Sequence, residues 1–185
     1  MNPASGVQQA ARITTPFPAS GWGGETRREP AAIQTLSPAQ LGLLTGATAR
    51  GRSAWLPLVR FSREGRWFHR LARTADYEIW LLTWLPGQHT GFHDHGNAAG
   101  AFAVAQGELR ETLVSAATGM LRHRAAREGT VTRFAGQHLH DVGNVSAVPA
   151  VSVHAYSPPL AEMRRYELTS SGLTLARTDR AEVDW

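Results

Sequence analysis

From Trp55 onward, short apolar stretches alternate with turn residues. Tyr77–Leu85 is a run of aromatic, β-branched and aliphatic side chains, and Pro86-Gly87 stops it. Gly100–Val104 and Gly107–Val114 predict a hairpin turning at Gln106-Gly107. Met120–Ala126, Gly129–Phe134 and Leu139–Val142 read as further strands. Ala150–Tyr156 alternates apolar with polar positions before Ser157-Pro158-Pro159 closes it. Met163–Leu168 and Leu173–Ala176 carry the same pattern more weakly. Upstream, Ser37 as a cap with Pro38 in the first turn predicts a short helix to about Leu44, ending at Gly46. Residues 1–28 are rich in Gly, Pro, Ser and Ala without a period and read as a loosely ordered tail. Many short strands in one chain predict an all-β sandwich or barrel with short N-terminal helices, one domain over residues 29–185.

Composition narrows the class. In 185 residues, 42% hydrophobic and 18% charged content is that of a globular domain, and 18 Gly with 10 Pro supply the turns that many strands need. The net charge of +4 comes from arginines spread along the chain, such as Arg28, Arg52, Arg122 and Arg164, rather than from a basic stripe with interleaved aromatics. No nucleic-acid partner is therefore expected. The chain has no cysteine, so disulfides and thiolate metal ligands are excluded and a reducing compartment fits. No basic segment followed by an apolar core opens the sequence, and no apolar run is long enough to span a bilayer. The expectation is a cytoplasmic protein without a membrane partner, with a monomer slightly favoured.

The chemistry concentrates in two spaced motifs. The first is Gly87, five residues, His93-x-His95, four residues, Gly100, six residues, Gly107; the second is Gly129 followed by His140-x-x-x-Asn144. Side chains two apart on a strand share a face, so His93 and His95 can project into one cavity. His140 on another strand can complete a face of three neutral imidazoles, which leaves the opposite side of a metal open. His138 lies two residues before His140 and shares its face, so it competes for the third position; the Asn144 offset selects His140.

These spacings resemble the two motifs of the cupins, jelly-roll barrels (double-stranded β-helices) with a metal in the mouth. Gly100 stands where the common pattern has Glu, and Ala135 and Gln137 stand where Pro and Gly are common. The finer sequence, Trp84–Gly96, Leu139–Asn144 and above all Val151-Ser152-Val153-His154-Ala155-Tyr156-Ser157-Pro158-Pro159, resembles the cysteine dioxygenase family of thiol dioxygenases over roughly residues 55–165. That resemblance implies a ferrous iron, one per chain, on His93, His95 and His140. It implies a tyrosine, Tyr156, beside the substrate sulfur, with Ser152 and His154 hydrogen-bonded behind it. Arg70, in Trp67-Phe68-His69-Arg70, matches the arginine that clamps the substrate carboxylate; Arg66 and Arg73 are close by. Phe68 stands where the family often has tyrosine. Some members crosslink the tyrosine to a cysteine whose position here is Gly100, so no thioether can form. The resemblance also suggests a cis Ser157-Pro158 bond.

The implied reaction is oxidation of L-cysteine by O2 to the sulfinic acid, with a small thiol carboxylate and O2 as the only partners. Another small thiol, 3-mercaptopropionate or cysteamine, is the alternative substrate, and a cupin that only binds a metal or ligand is the alternative class. The Ser152, His154, Tyr156 period argues against the passive binder, because it places a connected polar network beside the metal face.

Overall fold

The computed structural model describes residues 34–115, 119–170 and 172–181. The tail expected over residues 1–28 falls outside them. Helix α1 (Pro38–Arg50) starts as expected, with Ser37 Oγ accepting from the Gln40 amide and the Gln40 side chain accepting from the Ser37 amide. It does not stop at Gly46. Gly42 and Gly46 lie on its buried face, and a Cβ on Gly42 would stand 2.5 Å from Arg133 Cδ. Glycine here permits close packing rather than ending the helix, which terminates at Gly51. A short helix, α2 (Arg52–Trp55), and one 3-10 turn (Leu56–Leu58) follow.

The strands are β1 (Phe68–Arg73), β2 (Glu78–Trp84), β3 (Phe92–Asp94), β4 (Ala99–Gln106), β5 (Glu108–Val114), β6 (Leu121–Arg127), β7 (Val131–Phe134), β8 (His140–Gly143), β9 (Ala150–Ser157), β10 (Glu162–Thr169) and β11 (Gly172–Arg180). They form two antiparallel sheets, ordered β1-β2-β9-β4-β7 and β11-β10-β3-β8-β5-β6. This is the all-β jelly-roll expected from the sequence. The hairpin expected at Gln106-Gly107 is absent. β4 pairs with β9 and β7, whereas β5 pairs with β8 and β6. Gly107, at φ +80°, is instead the corner where the chain leaves one sheet for the other, so close to its neighbours that a Cβ would stand 3.0 Å from the Pro149 carbonyl oxygen. Alternation marks two strands on either side of a glycine but does not say whether they pair.

The period of β9 shows how the layers sort. Val151, Val153 and Ala155 face α1 in an outer core with Leu41, Trp55 and Leu81. Ala150 and Tyr156 face the interior between the sheets, packed with Trp84, Phe102, Phe134 and Val142. Both faces of β9 are therefore buried, and its polar members, Ser152 and His154, point into the barrel rather than to solvent. On β4 the outward residues Ala101, Ala103 and Ala105 are small, which lets α1 approach closely. The Ser157–Pro158 peptide is cis. Among the described residues, no helix is long and apolar enough to cross a membrane.

The two cores predict separable effects. Leu41→Ala should destabilise the protein to urea by about 2–5 kcal/mol, because a fully buried leucine leaves a cavity under α1. Metal uptake by the folded fraction should not change; a parallel loss of uptake would show that the outer core supports the interior site directly.

Candidate metal centre and its cavity

β3 and β8 pair so that His93 lies directly opposite His140, with ring centroids 4.7 Å apart. His95 follows the last residue of the very short β3 and still turns inward, its ring 4.7 Å from His93 and 5.3 Å from His140. One nitrogen from each of the three rings falls within 4.8 Å of the others, and all three side chains are buried. Burial, reinforced by the neighbouring imidazoles, lowers the pKa of His93 and His95 well below 6.5. His140 is also lowered by burial, which its hydrogen bond to Glu111 partly offsets. The cluster is therefore neutral and nucleophilic at neutral pH.

The outward nitrogens are held differently. His93 Nδ1 donates to the Gly91 carbonyl at 3.0 Å. His140 Nδ1 meets the Glu111 carboxylate at 2.9 Å. Neither nitrogen of His95 has a hydrogen-bond partner, although both are buried. An unpartnered buried polar atom costs about 1–3 kcal/mol, and a divalent cation between the three rings would satisfy one of the two, the nitrogen without the proton. Three neutral imidazoles suit a transition metal such as Fe(II), and the open side suits further ligands. The residues thus fit a metal. His138 does not turn to this focus. Its Nε2 lies 3.0 Å from Glu111 Oε1 and its ring stacks on Phe134.

A cavity of about 120 Å³ opens on the cluster, lined in part by His93, His140, Tyr156, Leu160, Arg66 and Arg165. Tyr156, His154 and Ser152 are buried in line, with Tyr156 Oη 3.4 Å from His154 Nδ1 and His154 Nε2 2.8 Å from Ser152 Oγ. The Trp84 indole donates to the same Ser152 oxygen at 2.9 Å. Burial lowers the His154 pKa and raises that of Tyr156, so the imidazole is neutral and the phenol keeps its proton. Beside Gly100, a Cβ would stand 2.3 Å from the Phe134 ring, which stacks on His95 with centroids 5.2 Å apart. The position where the common motif has glutamate is filled by an aromatic ring.

Arg70 is not among the cavity residues. It is exposed on β1, with its guanidinium 5.3 Å from the Trp80 ring centroid, and it lines a separate surface depression with Arg73 and Glu78. Arg66, two residues before β1, faces the cavity instead. Its Nε is shielded and has no hydrogen-bond partner, and its guanidinium lies 4.8 Å from the Trp84 ring centroid. Burial, then the adjacent Arg165, brings its pKa down to about 10, which leaves it charged at neutral pH. Arg165 is held by Asp179 at 2.7 Å and by the Thr90 carbonyl at 3.1 Å. Arg66, Arg165, Glu111 and Phe134 are the site residues that motif spacing does not reveal. Glu111 had a signal: it falls in phase with Leu109 and Leu113 along β5, on the face that should be apolar.

The family model for cysteine dioxygenase type I matches residues 43–169. The chain belongs to that family, and with it to the cupin superfamily. It is similar to cysteine dioxygenase type 1 of Danio rerio, 28% identical over 124 residues, which are 61% of this chain and 61% of that protein. It is also similar to cysteine dioxygenase type 1 of Homo sapiens, 34% identical over 91 residues, 45% of this chain and 46% of that protein. The match thus spans between about half and three fifths of these curated relatives. Among solved structures, the protein TT1209 from Thermus thermophilus superposes with a TM-score of 0.50 at 20% identity, covering 56% of this chain and 93% of that one, a likeness of fold.

His140→Ala should abolish metal retention, measured as metal per chain after desalting, while His138→Ala should largely keep it; the reverse result would exchange the two roles. The neutral histidines also set a pH dependence for the metal-free protein. On unfolding, His93, His95 and His154 return to ordinary pKa values and bind protons below about pH 6.5. Stability should therefore fall as pH drops from 7 to 5, by up to about 1.4 kcal/mol per pH unit for each histidine held neutral. Urea midpoints across that range measure it, and a flat profile would contradict it.

Proposed function

We propose that this protein is an iron-dependent thiol dioxygenase, which converts a small thiol carboxylate and O2 to the sulfinic acid, both oxygen atoms going to sulfur. His93, His95 and His140 would hold one Fe(II), which when bound supplies the redox chemistry that lets O2 react with a thiolate. The observation that carries the reading is the convergence of that neutral three-imidazole face, a buried protonated phenol and a half-buried guanidinium on one small cavity.

Each group has a defined task. Arg66, unpartnered at Nε, takes the substrate carboxylate, the role the family resemblance assigned to Arg70. The choice of Arg66 over Arg70 is supported by position 70 being exposed and outside the cavity lining, with its guanidinium 5.3 Å from the Trp80 ring centroid. Tyr156 donates a hydrogen bond to the oxygen that gains charge as the sulfur is oxidised. We assign the His154 proton to Nδ1: Trp84 donates to Ser152, Ser152 donates to His154 Nε2, and His154 donates to the phenol oxygen. The phenolic hydrogen then remains free to point into the cavity. Leu160 and Met163 close the wall and limit water.

L-cysteine leads as the substrate on the family match. A second reading, 3-mercaptopropionate, is favoured by the lining itself, because no acidic side chain among the described cavity residues meets an ammonium group. The test is O2 uptake by protein loaded anaerobically with Fe(II), with each thiol in turn, and identification of the sulfinate. Uptake with either thiol keeps the chemistry and settles the substrate; no uptake in iron-loaded protein makes it a binding cupin. Arg66→Gln should raise KM for the accepted thiol carboxylate by about tenfold or more, the scale of one lost charge-assisted hydrogen bond. Arg70→Gln should change KM little, and a larger effect at position 70 would return the clamp to β1.

A further inference from the structure

We infer that Glu111 is a positioning residue of the metal centre: its buried carboxylate fixes His140 for coordination and supplies, one layer behind the ligands, the negative charge that the three-imidazole face lacks. The inference rests on the metal-site reading above. Its basis is an asymmetry among the three histidines of that face. His95 has no partner behind it and His93 has a neutral carbonyl, whereas His140 has a carboxylate.

The strand register delivers Glu111 to that place. β5 lies beside β8 with Glu111 opposite Val142, which makes His140 its diagonal neighbour on the inner face. Glu111 is wholly buried. Its Oε1 lies 2.9 Å from His140 Nδ1 and 3.0 Å from His138 Nε2, while Oε2 accepts from Arg124 Nε at 3.1 Å and from an Arg124 terminal nitrogen. Two nitrogens of the Arg124 guanidinium donate to the one Oε2, the geometry of an ion pair with an ionised carboxylate.

An ionised carboxylate only accepts, so both histidines must donate to it. His140 therefore carries its proton on Nδ1 and presents the bare Nε2 to the cavity. His138 spends its Nε2–H on the same oxygen, which makes it a second brace on the carboxylate rather than a rival ligand. Arg124 neutralises the outer oxygen from the surface side of the sheet, with its side chain half exposed. The inner oxygen is left to act on the imidazole, where it makes Nε2 a stronger donor. Gly100 offers no carboxylate among the ligands themselves, and the Phe134 ring fills that space.

The full-length chain, stripped of metal, would be titrated anaerobically with Fe(II) against a chromophoric chelator, as wild type and as Glu111→Gln, an isosteric change that removes the charge. Loss of an outer partner of this kind weakens metal binding by roughly 10–100-fold, and that loss is expected here; the melting temperature of the metal-free protein is measured beside it, because the amide turns an N–H group toward donors that the carboxylate accepted from. Wild type that takes up no Fe(II) would sink the metal reading and this inference together. Glu111→Gln binding within about threefold of a wild type that does bind would overturn the inference alone, since the expected loss is at least roughly tenfold. If the variant melts markedly lower, the decision passes to wild-type protein with ¹⁵N-labelled histidine: a His140 ring protonated at Nδ1 and slow to exchange upholds the inference, and a proton on Nε2 overturns it.

Discussion

A polar atom sealed from water must find a partner, and this barrel seals four imidazoles at once. His93, His95, His140 and His154 are all buried in the interior between the sheets. Desolvation keeps them neutral, and neutrality makes each ring one donor and one acceptor that the surroundings must match. A backbone carbonyl, a carboxylate and a serine–tyrosine pair answer for three of them. His95 is left without an answer, and that imbalance is what turns a cluster of core histidines into a place for a cation.

Trp84 ties the two ends of the cavity together. Its face carries the Arg66 guanidinium, its indole N–H holds Ser152, and its carbonyl accepts from the Asn144 side chain at 3.1 Å. The asparagine four residues after His140 thus anchors the loop leaving β8 to the end of β2. One tryptophan touches the Arg66 guanidinium, the Ser152 end of the phenol network and the second motif, so it couples their positions.

The motif residues were legible because strand geometry and glycine spacing fix them locally: His93 and His140 meet through a single register pair, and Ser152, His154 and Tyr156 follow from the period of two. The sheet assignment of β4 and β5 was not legible. A corner and a hairpin use the same glycine, and only the occupied edges of β4 decide between them. Nor was it legible which arginine lines the cavity. Arg66 and Arg70 stand close together in one short stretch, and which one turns inward depends on where β1 begins against β2. Phe134 was invisible for another reason: its contacts with His95 and Gly100 join residues far apart in sequence, and no local pattern encodes them.

Gly100 carries a consequence for how the site ages. The tyrosine here is kept in place by the Phe134 ring, which occupies the room a side chain at position 100 would need, and the chain holds no cysteine to tie it covalently. Every molecule therefore leaves the ribosome with the same tyrosine environment, with no oxidative maturation to divide the population into tied and untied forms. What holds the phenol is packing and its hydrogen bond to His154, with no covalent tie, so its order does not wait on a prior oxidation.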